Sequence, residues 1–396
     1  MQTRTYPRVT LTQPLESVLR LGHPWIFSDA LRHERDLQAG AVVDVHNRDG
    51  EFVARGVLEP DSHVRLRIWT LRADIVVDDR LLEERIRAAF KRRPFPTAQT
   101  NGFRLLNGEG DRIPGLVCDI YDRIAVLRPD GLAAERWLEP ARRVIEKLLP
   151  IEHWAVRRSE IYRQQNPAAM WWGDAPTTDE LTFLEHGATF VVDPIEGQKT
   201  GFFLDQRANR QRVAELAAGR RLLNLFGYTG GFSLAAALAG AARTTTVDIA
   251  RPAIEAASRH FELNGLPPEA HEFIASDVFE YLATLAPQRA PFEIAICDPP
   301  SFAHRRQDFK KARQAYVRLF SALLAVMPTS STVALASCSS HVSREAFMAI
   351  VAESAQQAGC SLVVTGVWSA DVDHCFLPAF PEGDYLQFAM ATVVRD

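Results

Sequence analysis

The chain has 396 residues, 47% of them hydrophobic and 24% charged, and carries a formal net charge of −4. That is a globular composition, long enough for two or three domains, and it excludes fibrous and disordered classes and any global attraction to nucleic acid, so a nucleic-acid surface has to be local. Five scattered cysteines without a CxxC pair argue against a disulfide framework or a metal cluster, and with no leader-like or long uncharged apolar run the protein is expected to be soluble and cytoplasmic, away from membranes.

Residues 1–75 are expected to form a small β-rich domain. Val42–Val45, Glu51–Val57 and Val64–Trp69 are short β-rich runs, and Asn47-Arg-Asp-Gly50 is a hairpin signal. Upstream, Gly22-His-Pro-Trp-Ile-Phe27 places Trp25 and Phe27 beside Arg20 and Arg32. An aromatic next to arginines can stack on a base or ribose; it can equally pack a small core. Residues 76–185 are expected to form an α+β domain. Its helix Asp79–Lys91 turns Leu81, Leu82, Ile86 and Phe90 to one side, and Arg92-Arg-Pro-Phe-Pro96 ends it. Strands are expected at Phe103–Leu106, Leu116–Tyr121, Trp154–Arg158 and Phe183–Val192, and a helix at Ala133–Leu149. Asn107–Asp111 reads as a loop without chemistry.

Residues 186–396 alternate between strand and helix patterns. Strands are expected at 221–225, 243–247, 271–275, 293–297, 331–336, 361–368 and 386–394. Helices are expected at 205–218, 232–240, 251–263, 277–285, 308–327 and 342–357. The alternation implies an α/β fold, a mostly parallel sheet with helices on both faces. Seven strands with the last near the chain end resemble the sheet of class I methyltransferases.

Five strand ends in this region carry candidate chemistry. After Leu222–Leu225 comes Phe226-Gly-Tyr-Thr-Gly-Gly231, a strand–glycine turn–helix unit whose missing Cβ atoms let the backbone approach a ligand. Its spacing is neither GxGxxG nor GxxxxGK[ST]. Asp248 ends the next strand, where a carboxylate suits ribose hydroxyls or caps the helix from Arg251. Asp277, beside Val278 and Phe279, suits the exocyclic amine of an adenine, or is an N-cap, or both. Phe292–Cys297 is an apolar strand halted by Asp298-Pro-Pro300, a rigid turn able to hold a carboxylate toward a substrate base. Ala336-Ser-Cys-Ser-Ser340 ends the fifth strand, so Cys338 should lie beside Asp298, as a nucleophile or as a small buried residue. Cys297 reads as core. The run from His304 to Arg318 holds Arg305, Arg306, Lys310, Lys311, Arg313 and Arg318 against Asp308; it is either a solvated helix face or a phosphate-binding surface.

With these motifs the chain resembles the RlmI-type family of S-adenosylmethionine-dependent 23S rRNA (cytosine-5)-methyltransferases over nearly its whole length. Gly22–Phe27 resembles the start of the family's RNA-binding PUA domain, and Arg104-Leu-Leu-Asn-Gly-Glu-Gly-Asp-Arg-Ile-Pro-Gly-Leu116 the hallmark of its middle domain. Glu196–Arg210, Asn224–Ser233, Asp248, Asp277, Asp298–Pro300, Ser337–Ser339 and Pro381–Leu386 resemble its successive methyltransferase motifs. Gln387, where the family has Lys, and Cys375, where it has Pro, are departures.

The resemblance implies a PUA-like domain over 1–75, a middle domain over 76–185 and a Rossmann-like methyltransferase domain over 186–396. It implies S-adenosylmethionine as cofactor, S-adenosylhomocysteine as product and no metal. The implied cofactor residues are Lys199, Gln206, Arg207, Asn224, Phe226, Gly227, Thr229, Gly230, Asp248, Ile249, Asp277, Val278 and Asp298. The implied catalytic pair is Cys338, adding to carbon 6 of cytosine, and Asp298, holding or protonating nitrogen 3. Trp25, Arg20, Arg305, Arg306, Lys310 and Lys311 are the candidate RNA contacts. The expected partner is large-subunit rRNA before assembly is complete, and a homodimer is allowed. The alternatives are a guanine-modifying rRNA methyltransferase with the same sheet and an RNA-binding protein that has lost catalysis.

Overall fold

The computed structural model describes residues 5–32, 37–158, 169–178, 180–302 and 309–395. The chain divides into two units. The first holds Met1–Leu184, Val192–Leu204 and Val372–Gly383; the second holds Glu185–Val191, Asp205–Asp371 and Asp384–Asp396.

The first unit opens with β1 (Arg8–Leu11), α1 (Glu16–Arg20), β2 (Trp25–Phe27), β3 (Leu31–Arg32), β4 (Val42–His46), β5 (Phe52–Leu58) and β6 (Val64–Thr70). These six strands form one sheet in the order β2-β6-β5-β4-β1-β3. The expected hairpin joins β4 to β5, and the Asn47 side-chain oxygen accepts the N–H groups of Asp49 and Glu51 to hold its turn. The alternating pattern buries Val43 and Val45 of β4. Next come α2 (Asp79–Arg92), β7 (Gly102–Asn107), β8 (Leu116–Tyr121), β9 (Ile124–Pro129), α3 (Leu132–Glu135), α4 (Leu138–Ile145), β10 (His153–Arg157) and β11 (Ala169–Trp171), with a sheet ordered β11-β10-β9-β8-β7. Val57 and Trp69 of the first sheet share a core with Leu82, Ile86, Leu105 and Trp137.

Three local expectations change. The helix expected over Ala133–Leu149 is two helices, α3 and α4. Pro140 explains the break: its ring would clash with the carbonyl of Arg136 in a continuous helix, but is tolerated in the first turn of α4. The strand expected over Phe183–Val192 is split into β12 (Thr182–Glu185) and β13 (Ala188–Val191), because His186 and Gly187 both adopt positive φ, the geometry of a two-residue I′ turn. Asn107–Asp111, read as an idle loop, is a buried polar hub. Arg92 (2.7 Å) and Arg93 both pair with the fully buried Asp111 carboxylate, which also accepts the Asn107 N–H at 2.6 Å. Cys375, from the Val372–Gly383 segment, donates its thiol to the same carboxylate at 3.3 Å, and its carbonyl accepts from Asn107 Nδ2 at 2.8 Å.

The second unit contains α5 (Arg207–Ala214), β14 (Arg221–Leu225), α6 (Gly231–Leu238), β15 (Arg243–Asp248), α7 (Arg251–Leu263), β16 (Glu272–Ala275), α8 (Val278–Ala283), β17 (Ile294–Cys297), α9 (Phe309–Val326), β18 (Thr332–Ser337), α10 (Arg344–Gln357), β19 (Ser361–Trp368) and β20 (Gln387–Val394). It is the expected seven-stranded sheet, in the order β16-β15-β14-β17-β18-β20-β19. The pairs from β16 to β18 are parallel, and β20 runs antiparallel between β18 and β19. Every residue of β17 and β18 is buried, as expected of central parallel strands covered on both faces. The chain winds outward from β14 through β15 to β16, then returns to β14's other side as β17. The strand order therefore switches between β14 and β17, which opens a crevice at their carboxyl ends.

Gly110 is the tightest point of the Asp111 hub, since a Cβ there would lie 1.9 Å from the Cys375 carbonyl oxygen. Gly110→Ala should therefore destabilise the protein by about 1–3 kcal/mol, read as a lower thermal midpoint. An unchanged midpoint would mean that the Val372–Gly383 segment does not seat on this turn.

Candidate active site

The turn after β14 is built on backbone conformations that few residues adopt. Phe226 and Tyr228 have φ of 56° and 45°, and Gly230, which starts α6, has φ of 77°. The turn lies hard against its surroundings: a Cβ at Gly227 would sit 2.5 Å from Thr246 Cγ2, and one at Gly230 2.8 Å from Ala257 Cβ. Asn224 is buried at the end of β14, donating to Ser233 Oγ at 3.0 Å, and Thr246 of β15 donates to the same oxygen at 2.7 Å. This buried cluster ties strand, turn and helix together. Thr229 Oγ1 is buried and has no hydrogen-bond partner among the described residues.

The ends of β15 and β16 come beside this turn. The carboxylate of Asp248 accepts the Tyr228 N–H and the Ala250 N–H, one on each oxygen, both at 2.9 Å. Each oxygen keeps a second lone pair for a ligand. Ile249, next to it, is 73% exposed, unusual for a large apolar residue at a strand end. Asp277 caps α8, its Oδ1 accepting from Phe279 and Glu280 at 2.8 and 3.1 Å. The cap is therefore real, and Oδ2 is left over for a further donor. Val278 is buried beneath it.

On the other side of the switch point, β17 and β18 pair with Cys297 opposite Leu335, so Asp298 and Cys338 leave neighbouring strands. Cys338 Sγ lies 3.9 Å from the Pro299 carbonyl oxygen, inside the Asp-Pro-Pro turn. Asp298 Oδ2 accepts from Gln206 Nε2 at 2.8 Å. Ser337, directly before Cys338, donates to the Tyr316 hydroxyl of α9 at 3.0 Å, which anchors the end of β18. Burial is the main reason the Tyr316 phenol stays far above its ordinary range; the charges of Cys338 and Asp298 add to it. Cys297 is fully buried, and burial raises its thiol well above the ordinary value.

Other sequence-predicted residues have surroundings of their own. Arg207 has no exposed surface and pairs with Asp371 at 2.7 Å. Lys199 belongs to the first unit, with positive φ and its ammonium 4.6 Å from the Phe203 ring centroid. Trp25, in the first unit, packs edge-on to Phe380 and donates its indole N–H to Glu109 at 2.7 Å, with the Arg67 guanidinium over its ring. It is half-buried in a polar–aromatic cluster, while Arg20 is exposed. Arg305 and Arg306 lie outside the described residues. Lys310 and Lys311 are exposed on the first turn of α9, whereas Arg313 pairs with Glu353 and Arg318 stacks on Phe279. The basic run thus divides into fold-holding and solvent-facing members.

Sequence reasoning missed His260. It is buried in α7; its Nε2 accepts the Val191 N–H at 2.9 Å, which leaves Nδ1 to donate to the Thr229 carbonyl at 2.8 Å. One neutral imidazole therefore holds the glycine turn to β13. A lone histidine in an amphipathic helix carries no sequence signal for that role.

Residues 126–365 match the family model of S-adenosylmethionine-dependent methyltransferases, and residues 9–71 match that of PUA-like domains. The chain is similar to a ribosomal RNA large subunit methyltransferase I of Alteromonas mediterranea, 31% identical across 98% of this chain and 99% of that one. It is 31% identical to one of Klebsiella pneumoniae, across 98% of each chain. It is also similar to a ribosomal RNA large subunit methyltransferase of Deinococcus radiodurans, 35% identical across 89% of each chain. Among solved structures, it shares its fold with a methyltransferase complexed with SAH, with a TM-score of 0.84, 21% identity, and coverage of 98% of this chain and 100% of that one. A SAM-dependent methyltransferase from Streptococcus mutans gives a TM-score of 0.83 at 21% identity and the same coverage.

His260→Ala would strand a buried carbonyl and a buried N–H. It should cost about 2–4 kcal/mol, measured by denaturant unfolding; a loss below the error of that measurement would show that the imidazole does not hold the turn.

Proposed function

As the chain belongs to the S-adenosylmethionine-dependent methyltransferase family, we propose that it methylates carbon 5 of a cytosine in 23S ribosomal RNA through a covalent Cys338–cytosine adduct. The observation that carries this reading is the meeting of Cys338 and the Asp298-Pro-Pro turn at the ends of β17 and β18, with Cys338 Sγ 3.9 Å from the Pro299 carbonyl. Relatives covering nearly the whole chain are named as large-subunit rRNA methyltransferases, which supports the choice of RNA. Part of the same proposal is the division into a PUA-like domain (1–75), a middle domain (76–185) and a catalytic domain (186–396), acting in the cytoplasm on rRNA before assembly is complete.

The crevice fits the methyl donor. Gly227 and Gly230 leave no room for a Cβ, and Thr229 Oγ1 is buried without a partner. Asp248 retains lone pairs for ribose hydroxyls, Asp277 Oδ2 for an adenine amine, and the exposed Ile249 offers an apolar face for the ring. S-adenosylmethionine supplies an electrophilic methyl group. Phe226, Gly227, Thr229, Gly230, Asp248, Ile249, Asp277 and Val278 would hold it, while Asn224 acts beneath them through Ser233. Gln206 reaches the site through Asp298, and Arg207 supports the fold from its buried pair with Asp371.

Carbon 5 of cytosine is a weak nucleophile, so the protein has to activate it. The Cys338 thiolate bonds to carbon 6, and the electron pair of the 5,6 double bond becomes available at carbon 5. Asp298 meets the charge that develops at nitrogen 3. Once carbon 5 carries the methyl group, it gives up its proton to a base, and the pair left behind re-forms the double bond and expels Cys338 as thiolate. The base has to be unstacked for this, at a cost of a few kcal/mol that is lower in a loop. Lys310 and Lys311 fit a role in gripping the RNA. At the start of α9 they oppose the helix dipole, and a phosphate would relieve that repulsion.

Asp248→Ala should weaken S-adenosylmethionine binding by about 10- to 100-fold, with calorimetry as the measure; unchanged affinity would remove Asp248 from the cofactor site. Cys338→Ala should abolish methylation of unmodified large-subunit rRNA while cofactor affinity stays at the wild-type value. The wild-type enzyme should also form a denaturation-resistant adduct with RNA carrying 5-fluorocytidine. Substantial activity in Cys338→Ala would transfer the reaction to a ring nitrogen, as in guanine methylation.

A further inference from the structure

Asp298 and Cys338 are carried by segments that have left the sheet. Beyond Cys297 the chain runs Asp298-Pro-Pro-Ser-Phe302, and its two prolines have no N–H with which to hold a neighbour. Beyond Ser337, the last residue of β18, it leaves as Cys338-Ser-Ser340. Tyr316 of α9 meets both segments. Its hydroxyl oxygen accepts from Ser337 Oγ at 3.0 Å and from the Phe302 backbone N–H. Its ring stands edge-on to that of Phe302, with centroids 4.8 Å apart, and Phe320 lies on it at 5.7 Å. Tyr316 and Ser337 both have 0% exposure, so solvent does not compete for their bond. The phenol keeps its proton, because burial and then the charges of Cys338 and Asp298 outweigh the two donors that point at its oxygen.

We propose that Tyr316 is a positioning residue for the reaction: its hydroxyl ties the end of β18 to the segment after the Asp-Pro-Pro turn, and so fixes how far the Cys338 sulfur stands from that turn. The inference rests on the reading of Cys338 as the nucleophile. The paired register of β17 and β18 runs only to Cys297 and Leu335, so it stops short of the residues that react. Tyr316 joins the two segments beyond that point by a route that uses neither reacting side chain. Ser337 immediately precedes Cys338, and Phe302 closes the segment that Asp298 opens. Carbon 6 and nitrogen 3 lie across the pyrimidine ring from each other, so a thiolate and a carboxyl act on one base only if their separation is held. A misplacement of about 1 Å costs about 100-fold in rate. The hydroxyl is presented from a rigid element, since α9 is packed into the core through Leu319, Leu323 and Leu324.

Tyr316→Phe removes one oxygen and keeps the ring against Phe302 and Phe320. In methyl transfer to unmodified large-subunit rRNA, kcat should fall about 10- to 100-fold, with KM for the RNA and the calorimetric affinity for S-adenosylmethionine at their wild-type values. Adduct formation with RNA carrying 5-fluorocytidine should slow by the same factor. Ser337→Ala breaks the same bond from its other end, so the double variant should be no slower than the slower of the two single ones. Ser354→Ala is the control. It removes another buried hydroxyl of this unit, one that donates to the Ile350 carbonyl within α10 at 2.7 Å, and it should leave kcat unchanged. A wild-type kcat in Tyr316→Phe would overturn the proposal. An equal fall in Ser354→Ala would do the same, as would an equal loss of S-adenosylmethionine affinity in Tyr316→Phe or losses that multiply in the double variant, since each means general loosening and not one shared bond. Failure of the wild-type protein to form any adduct would instead overturn the reading of Cys338, while non-additive losses of methyl transfer in Tyr316→Phe and Ser337→Ala would leave the tie between the two segments standing.

Discussion

The parallel pairing of β14 with β17 is the constraint on which the rest of the catalytic unit depends. Leu222 lies opposite Ile294 and Leu225 opposite Cys297, although the two strands are separated by two strand–helix units. That register sets the turn after β14 and the Asp-Pro-Pro turn after β17 on either side of one crevice. The helices leave toward opposite faces there, so the crevice stays open. A shift of one residue would exchange the two faces of β17, both of which are buried and packed against different helices. The apolar faces of both strands make such a shift costly, because Leu223, Leu225, Ala295 and Cys297 belong to one buried cluster with α9 and α10.

Around this frame, buried polar groups are used as struts. Ser233 receives two donors, His260 joins two backbone groups, Asp111 takes two guanidinium groups, and Asp298 ends a line of donors that runs from Arg212 through Asn209 and Gln206. Each would be destabilising if left alone in the interior, and each is satisfied by partners of fitting chemistry. The consequence for function is directional. Hydrogen-bond chains that begin at an arginine or end at a backbone carbonyl permit only one orientation of the amides and imidazoles between them.

The first unit shows the same economy in a different setting. The Asn107–Asp111 turn receives the Val372–Gly383 segment, whose Cys375 contacts both Asp111 and Asn107, and the neighbouring Glu109 accepts from Trp25 and Arg67. The Asn107–Asp111 turn is thus a seat for a distant piece of the chain. Cys375 is accommodated because its thiol donates to a carboxylate already neutralised by two arginines.

Much of this protein was legible in its sequence, for a physical reason. Strand and helix periodicity, the glycine turn, the halt imposed by Pro299 and Pro300, and the capping of α8 by Asp277 are local effects, each set within a few residues by backbone sterics and short-range hydrogen bonding. They placed every strand of the seven-stranded sheet within a residue or so, and they brought Asp248, Asp277, Asp298 and Cys338 to strand ends. The exceptions were also local: Pro140 split a helix, and His186-Gly187 split a strand. Only the tertiary structure decided the partners. Gln206 meets Asp298 across 92 positions, Cys375 meets Asp111 across 264, and His260 meets Thr229 across 31. No periodicity encodes such pairings, because they arise where packing brings two side chains together and the low dielectric between them makes an unpaired group too costly to keep.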